Sequence, residues 1–351
     1  MISPRQLLRA LGLSAALTAW AAPAAQAAID DPLDHPAAAA TNLAARPMLA
    51  AAQAGARLLA VGSRGVVIYS DDAGRSWRQS QVPVQSDLVA VHFPTPAQGW
   101  AVGHDGVVLH SGDGGRSWVK QFDGRLALQR FEQHYRALGD TASLAMVKKN
   151  YGGGPTLPIL DVWFKDASTG YAVGSFGTLI ATRDGGKTWE PWFERLDNPE
   201  MLNLNAVRAI DGQLFVAAER GIVFKFDAAS GRFRKIETGY GGSLFGVIGS
   251  GRLLLAYGLR GAAYRSTDGG EHWEPVTMPS TATISAGLHD AASGAFLLVN
   301  VAGELLVGDA TASRFELRKG RAGARYSGIG AIAKQHYLVT GMGGVQTLTA
   351  P

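Results

Sequence analysis

The chain has 351 residues, 46% of them hydrophobic and 18% charged, with a formal net charge of +4 and no cysteine. Such a composition is globular and long enough for a large core. It excludes disulfides, thiolate metal sites and a cysteine nucleophile, and removing Arg5 and Arg9 with the N-terminus leaves about +2, too mild for a nucleic-acid binder.

Met1 to Ala27 reads as a secretory signal. Arg5 and Arg9 form the basic start, Leu11 to Trp20 the apolar stretch, and Ala25-Gln26-Ala27 a small-residue cleavage site. The apolar stretch is too short to span a bilayer. Cleavage after Ala27 and release into the bacterial periplasm are expected. No cysteine follows to carry a lipid, and the mature chain should meet a membrane only through a partner. Residues 28–46 form an Ala-rich leader broken by Asp31-Pro32 and His35-Pro36. It is expected to supply a ring-closing strand near Thr41 to Ala45.

From residue 47 to 351 one unit recurs. The second copy shows it best: strand A at Leu88 to Phe93, B at Gly99 to Val102, C at Val107 to His110 and D at Ser117 to Phe122. Between C and D stands S/T-x-D-x-G-x-x-W, the Asp box. It occurs as Ser70 to Trp77, Ser111 to Trp118, Thr182 to Trp189 and Ser266 to Trp273. Asp72, Asp113, Asp184 and Asp268 can each accept backbone N–H groups across a tight turn, and the glycine supplies positive φ. Trp77, Trp118, Trp189 and Trp273 then offer a large apolar face to the next layer. Two further copies are degenerate: Phe226 to Phe233 puts Phe233 at the Trp position, and Gly308-Asp309 leads to Phe315. A seventh unit runs from Tyr326 to Leu348 and lacks its outer strand. Four short strands every 40–45 residues are the signature of β-propeller blades. The predicted fold is therefore an all-β, seven-bladed propeller, closed by the leader so that no sheet edge stays free.

One helical insertion is expected, at 123–158. Leu128, Phe131, Tyr135 and Leu138 fall on one stripe, and Tyr151 to Pro155 ends the helix. The stripe packs on the ring or docks a partner.

Alternating strand directions put the A–B and C–D turns on one face, and the B–C and D–A connections on the other. The B–C turns share a frame: Gly62-Ser-Arg64-Gly65, Gly174-Ser-Phe176-Gly177, Ala218-Glu-Arg220-Gly221 and Gly258-Leu-Arg260-Gly261 among them. Arg64, Arg220, Arg260 and Phe176 therefore share the face that carries the insertion. They are either solvated turn residues or a docking surface for a carboxylate-bearing protein segment, which the planar arginine fork suits.

Asp boxes also occur in sialidases, so a carbohydrate-binding or sialidase-like hydrolase is the alternative. It would need inner-strand arginines with a Tyr/Glu pair and a further acid. The inner strands carry only Arg208 and Lys165 as cations. His104 and His110 have no acidic companions for a metal site, and the glycine-rich stretches are hairpin turns rather than phosphate loops. No catalytic residue, metal or cofactor is assigned.

Longer phrases narrow the comparison: Leu160-Asp-Val-Trp-Phe164, Leu196-Asp-Asn-Pro199, Leu204-Asn-Ala-Val207, Ser243-Leu-Phe-Gly246 and Tyr257-Gly-Leu-Arg-Gly261. With the boxes, they resemble the photosystem II stability/assembly factor-like propellers over Leu58 to Gly344, and more closely that family's exported proteobacterial branch. The resemblance implies a non-enzymatic seven-bladed scaffold whose partner is a membrane protein or transporter complex; the mature chain is expected to be a monomer. For the bacterial branch it implies an accessory role beside an exporter of the resistance-nodulation-division type.

Overall fold

The structure, a computed structural model, describes residues 31–154, 157–320, 323–333 and 335–350. The expected signal segment, the first leader residues (28–30), and Pro155 and Thr156 of the insertion lie outside them.

Seven antiparallel sheets succeed one another along residues 48–349, each with its strands in chain order. They span 48–79, 88–122, 159–191, 204–237, 244–275, 284–319 and 326–349, and we number them blades 1 to 7 with strands A to D outward from the centre. The B strands, such as Arg57–Gly62 with five consecutive buried residues, are apolar on both faces because a blade packs on each side. The outer D strands are more exposed and range from two residues in blades 1, 3 and 5 to six in blade 4. All seven inner strands carry a register shift between their first and third residues, as at Leu204/Ala206 and Tyr326/Gly328. This repeated bulge bends every blade where it enters the channel.

The boxes work as expected. Asp113 Oδ1 accepts from the backbone of Arg116 and Ser117 at 2.9 and 3.0 Å, and Ser111 Oγ accepts from Gly115 N at 2.8 Å. The Trp118 indole donates to Gly115 O at 3.2 Å and is buried in the cluster that contains Leu59 of blade 1. The sixth turn lacks the Trp but keeps the carboxylate's role, since Asp309 accepts from the backbone of Thr311 and Ser313 at 3.0 Å each. In blade 4, Phe233 is buried at the Trp position.

Two expectations need correction. Among the described residues the leader adds no strand: Leu43–Ala45 is a single 3-10 turn, and the sheet of blade 7 shows three strands. The leader instead runs as a strap. Arg125 forks onto Asp34 at 2.9 Å twice, Leu33 is buried between blades 1 and 2, and Ala37 N donates to Val82 O at 2.9 Å. Ala40 N and Ala38 O both bond the Gln79 side chain at 2.8 Å. The strap ends with Ala44 against Gly344, where φ is +88° and a Cβ would lie 2.0 Å from Ala44 O. The ring seam is then sealed by Met48, Ile68, Leu43 and Val345.

The insertion holds two helices, α1 (Gly124–Leu138) and α2 (Thr141–Tyr151), with Gly139 at φ +68° between them. Asp123 and Asp140 cap their N-termini. The buried stripe of α1 is Ala127, Phe131 and Tyr135, whereas Leu128 is only partly buried and Leu138 is exposed. The true stripe steps by four residues, so it drifts from the i, i+3, i+7, i+10 reading by one helical position. Phe131 stacks on Phe122 and meets Phe193 edge-on. The Tyr135 hydroxyl donates to Glu194 Oε2 at 2.8 Å and accepts from Phe193 N at 2.9 Å. The stripe thus packs on blades 2 and 3 of the ring.

Candidate docking face and central channel

The B–C turns are shaped by one device. The turn's third residue is left-handed in five blades: Arg64 at φ +57°, Asp105 at +58°, Phe176 at +53°, Arg220 at +55° and Arg260 at +56°. In three of these its backbone N–H is met by a side chain from just before or at the start of the next blade: Arg64 N by Asp87 at 2.7 Å, Phe176 N by Asn203 at 2.8 Å, Arg260 N by Thr283 at 3.2 Å. The following glycine lies against the D–A connection; at Gly65 a Cβ would stand 2.0 Å from Val84 O. B–C and D–A segments therefore do share a face, and Gly106 touches the start of α1 on it.

A non-glycine in this conformation costs about 1 kcal/mol or more, and a bulky phenylalanine there is a real outlier. Each of these side chains projects from the blade tip. Phe176 is 49% exposed, and the three arginines are exposed as well.

The four expected residues occupy equivalent positions on blades 1, 3, 4 and 5, and they do not form one cluster. Phe176 lines a cavity of about 340 Å³ with Lys149, Asn150, Leu157, Glu200 and Met201, so α2 supplies one wall. Asn150 Nδ2 donates to Phe176 O at 3.2 Å. Arg220 pairs with Glu200 at the edge of this cavity, so its charge is partly met already. Arg64 lines a separate depression with Arg46 of the leader. Arg260 stands beside Tyr240, whose hydroxyl donates to Leu259 O at 2.7 Å. Sequence reasoning missed Arg46, Lys149 and Met201, because each reaches this face from a segment with no repeat to index it.

The inner strands converge on a central channel with a cavity of about 180 Å³. Its wall is mostly Ala, Gly, Val, Leu and Ile, with one ion pair: Arg208 Nη1 bonds Asp161 Oδ2. Asp161 is buried and also accepts from Val207 N at 2.9 Å. Burial pushes its carboxyl up, against the opposing pull of Arg208 and the Val207 and Val162 amides. His92, at the same strand position in blade 2 as Arg208 in blade 4, accepts from Phe164 N at 3.1 Å through Nδ1. Burial, then the Arg208 charge, takes its pKa down to about 3, so the imidazole is neutral. Asp161 had a visible signal, a lone acid inside Leu160-Asp-Val-Trp-Phe164, and only its pairing with Arg208 depends on the fold.

Known proteins were compared with this geometry. The family model described as photosynthesis system II assembly factor YCF48 matches residues 70–136 and 155–326. The chain is 29% identical over 152 residues to the photosystem II assembly protein Ycf48 of Thermosynechococcus vestitus (strain NIES-2133 / IAM M-273 / BP-1), covering 42% of this chain and 43% of that one. It is 29% identical over 147 residues to the photosystem II assembly lipoprotein Ycf48 of Synechococcus sp. (strain CC9902), covering 40% and 43%. The match therefore spans under half the length of these curated relatives. Among solved structures, a YCF48 bound to D1 peptide superposes with a TM-score of 0.65 at 14% identity, covering 88% of this chain and 94% of that one. YCF48 from Cyanidioschyzon merolae gives 0.64 at 13% identity, covering 87% and 96%. At such identities the superpositions establish the shared propeller fold. With a family match over more than half of its residues, this chain belongs to the YCF48 family of photosystem II assembly factors.

Proposed function

We propose that this chain is a non-catalytic scaffold that assists the assembly or operation of a membrane protein complex. It docks through the B–C/D–A face with Arg64, Arg220, Arg260 and Phe176. The observation that carries the reading is the exposed Phe176, held left-handed over a cavity that Leu157 and Met201 share with Lys149, Asn150 and Glu200, with arginines at the equivalent tips of blades 1, 4 and 5. Exposed aromatics and arginines are both enriched on protein-binding surfaces, and arginine pairs carboxylates bidentately. The named relatives are assembly proteins, and one structural neighbour is bound to a peptide of D1. Both favour a scaffold over an enzyme and a membrane protein as partner.

Within that reading we place the mature chain, from residue 28, in the periplasm as a monomer, and we favour a transporter complex of the resistance-nodulation-division type as the partner. Support comes from the signal-like N-terminus, from one relative's description as a lipoprotein, and from the likeness to the exported proteobacterial branch.

The test is affinity capture from detergent-solubilised membranes by the folded mature chain. It is set against Arg64→Glu/Arg220→Glu/Arg260→Glu and, separately, Phe176→Ser. A membrane-embedded protein captured by the native chain and lost with both variants is expected. Equal capture by all three forms would move the docking site off this face, and capture of no membrane protein would end the scaffold reading.

A further inference from the structure

The blades serve as controls for one another. At the third position of the inner strand, six blades carry Ala50, Ala90, Ala206, Gly246, Ala286 and Gly328, and blade 3 carries Asp161. At the fifth position, blade 4 alone has a full cation, Arg208. Taking two charges into a protein wall is unfavourable unless both are well bonded, and apolar residues usually serve stability as well. Six equivalent junctions are built without such a pair, so the propeller itself does not require it.

The pair is also asymmetric. Asp161 is buried and bonded, while the Arg208 side chain is 40% exposed. Nη1 bonds Asp161 and Val207 O, the latter at 2.6 Å. The other edge of the guanidinium, Nε and Nη2, makes no hydrogen bond with the described residues. Asp161 thus holds Arg208 by one nitrogen and leaves its planar fork toward the channel. The lining mixes apolar side chains (Leu49, Leu160, Phe245, Ile248) with polar ones (Asn205, Tyr257, Ser285, Ser327), and Asp161 is the sole acid among them. The space amounts to about six water volumes. Arg208 is the fifth residue of its strand, but its guanidinium reaches back to Asp161, a third residue, and most of the lining comes from the second to fourth residues, so the site lies in the half of the channel nearer the B–C/D–A face.

We propose that this channel wall is a binding site for a small monocarboxylate. The carboxylate forks onto Nε and Nη2 of Arg208, and the apolar body lies against Leu160, Phe245 and Ile248. The planar fork fits a carboxylate in a way that a point charge does not. The lack of any second acid in the lining disfavours a cation, and Asp161 acts as a positioning residue. The proposal stands independently of the docking face.

The test is calorimetric titration of the mature chain with acetate, propionate and benzoate, with inorganic phosphate as competitor. Saturable binding of propionate or benzoate with a Kd of order 1 mM is expected, without displacement by equimolar phosphate. Two variants localise it. Asp161→Asn/Arg208→Gln keeps a neutral, hydrogen-bonded pair, and Arg208→Lys keeps the ion pair but loses the fork. Each should weaken binding at least tenfold, and Arg208→Lys decides the matter if the double variant fails to fold. Binding of no probe, equal binding by the variants, or ready displacement by phosphate would overturn the assignment and leave the pair as a strut between blades 3 and 4.

Discussion

The strap formed by residues 31–46 is the most consequential departure from the expected closure, and Leu33→Ala tests whether it holds the ring. Leu33 is 2% exposed, in a cluster with Val82, Val84 and Trp118 that joins blades 1 and 2. Truncating such a leucine removes transfer energy and leaves a cavity, a loss of about 2–4 kcal/mol. An unfolding entropy of about 2.1 cal/mol/K per residue over roughly 320 residues makes 1 kcal/mol worth about 1.5 °C, so Tm should fall by roughly 3–6 °C. The ion pair of Arg125 with Asp34 lies on the surface at the same point of the strap, and exposed pairs are weak. Arg125→Ala should therefore lower Tm by clearly less than Leu33→Ala. Scanning calorimetry on both variants, with amide exchange over 31–46 and 344–349, measures the effect. If Leu33→Ala speeds exchange in 31–46 and leaves Tm unchanged, the strap is a local appendage and the closure argument is wrong.

The seam has its own probe in Gly344→Ala, which should cost about 1–3 kcal/mol because the new Cβ meets Ala44 O. Gly251→Ala, also at positive φ but in open space, should cost less, and urea midpoints compare the two. Tyr135→Phe strips Phe193 N of its acceptor and should destabilise by about 1–3 kcal/mol, with faster exchange in α1 as its signature. The boxes give a pH dependence. Burial raises the Asp113 carboxyl, but the donors of Ser117, Ser111 and Arg116 outweigh it and hold it below the usual range. A depressed carboxylate stabilises the fold above its unfolded pKa of about 3.9 and loses that contribution as pH falls through its folded value. Urea midpoints taken below about pH 4 should fall less steeply for Asp113→Asn than for the native chain.

The repeat made most of this molecule legible. Blade number, strand order and the box turns follow from a 40-residue period and a motif that encodes its own hydrogen bonds. The two helices were harder. Leu128, Phe131, Tyr135 and Leu138 fall on one stripe, but Ala127 is buried in Leu128's stead, and an alanine adds little to a hydrophobic pattern. Asp140 caps a second helix that looks unremarkable on paper because Leu144, Met146 and Val147 spread around its circumference. The strand expected at Thr41 to Ala45 rested on counting strands, whereas backbone bonds to Val82 and side-chain bonds to Gln79 decide the leader's path. The tip residues Arg64, Phe176, Arg220 and Arg260 were placed on the right face by topology alone. Their division into separate sites, and the pairing of Arg220 with Glu200, depend on D–A connections that have no repeat.

Departures from the repeat are themselves distributed unevenly, and that distribution constrains the biology. A seven-fold ring built only for stability would place its irregularities at the seam, where blade 7 meets blade 1. Here the seam irregularity is limited to the missing D strand and the strap. Apart from the Trp-less box of blade 6, the larger ones fall on blades 2 to 4: the helical insertion between blades 2 and 3, the exposed Phe176 of blade 3, the Glu200 connection that pairs Arg220, and the Asp161–Arg208 pair across blades 3 and 4. One arc thus carries the helices, Phe176 and the Arg220–Glu200 pair on the proposed docking side and the Asp161–Arg208 pair in the channel. The opposite arc keeps small residues such as Ala286 and Gly328 on its inner strands. A partner that engages one arc needs a single orientation of the disc, and that is what an assembly scaffold must impose.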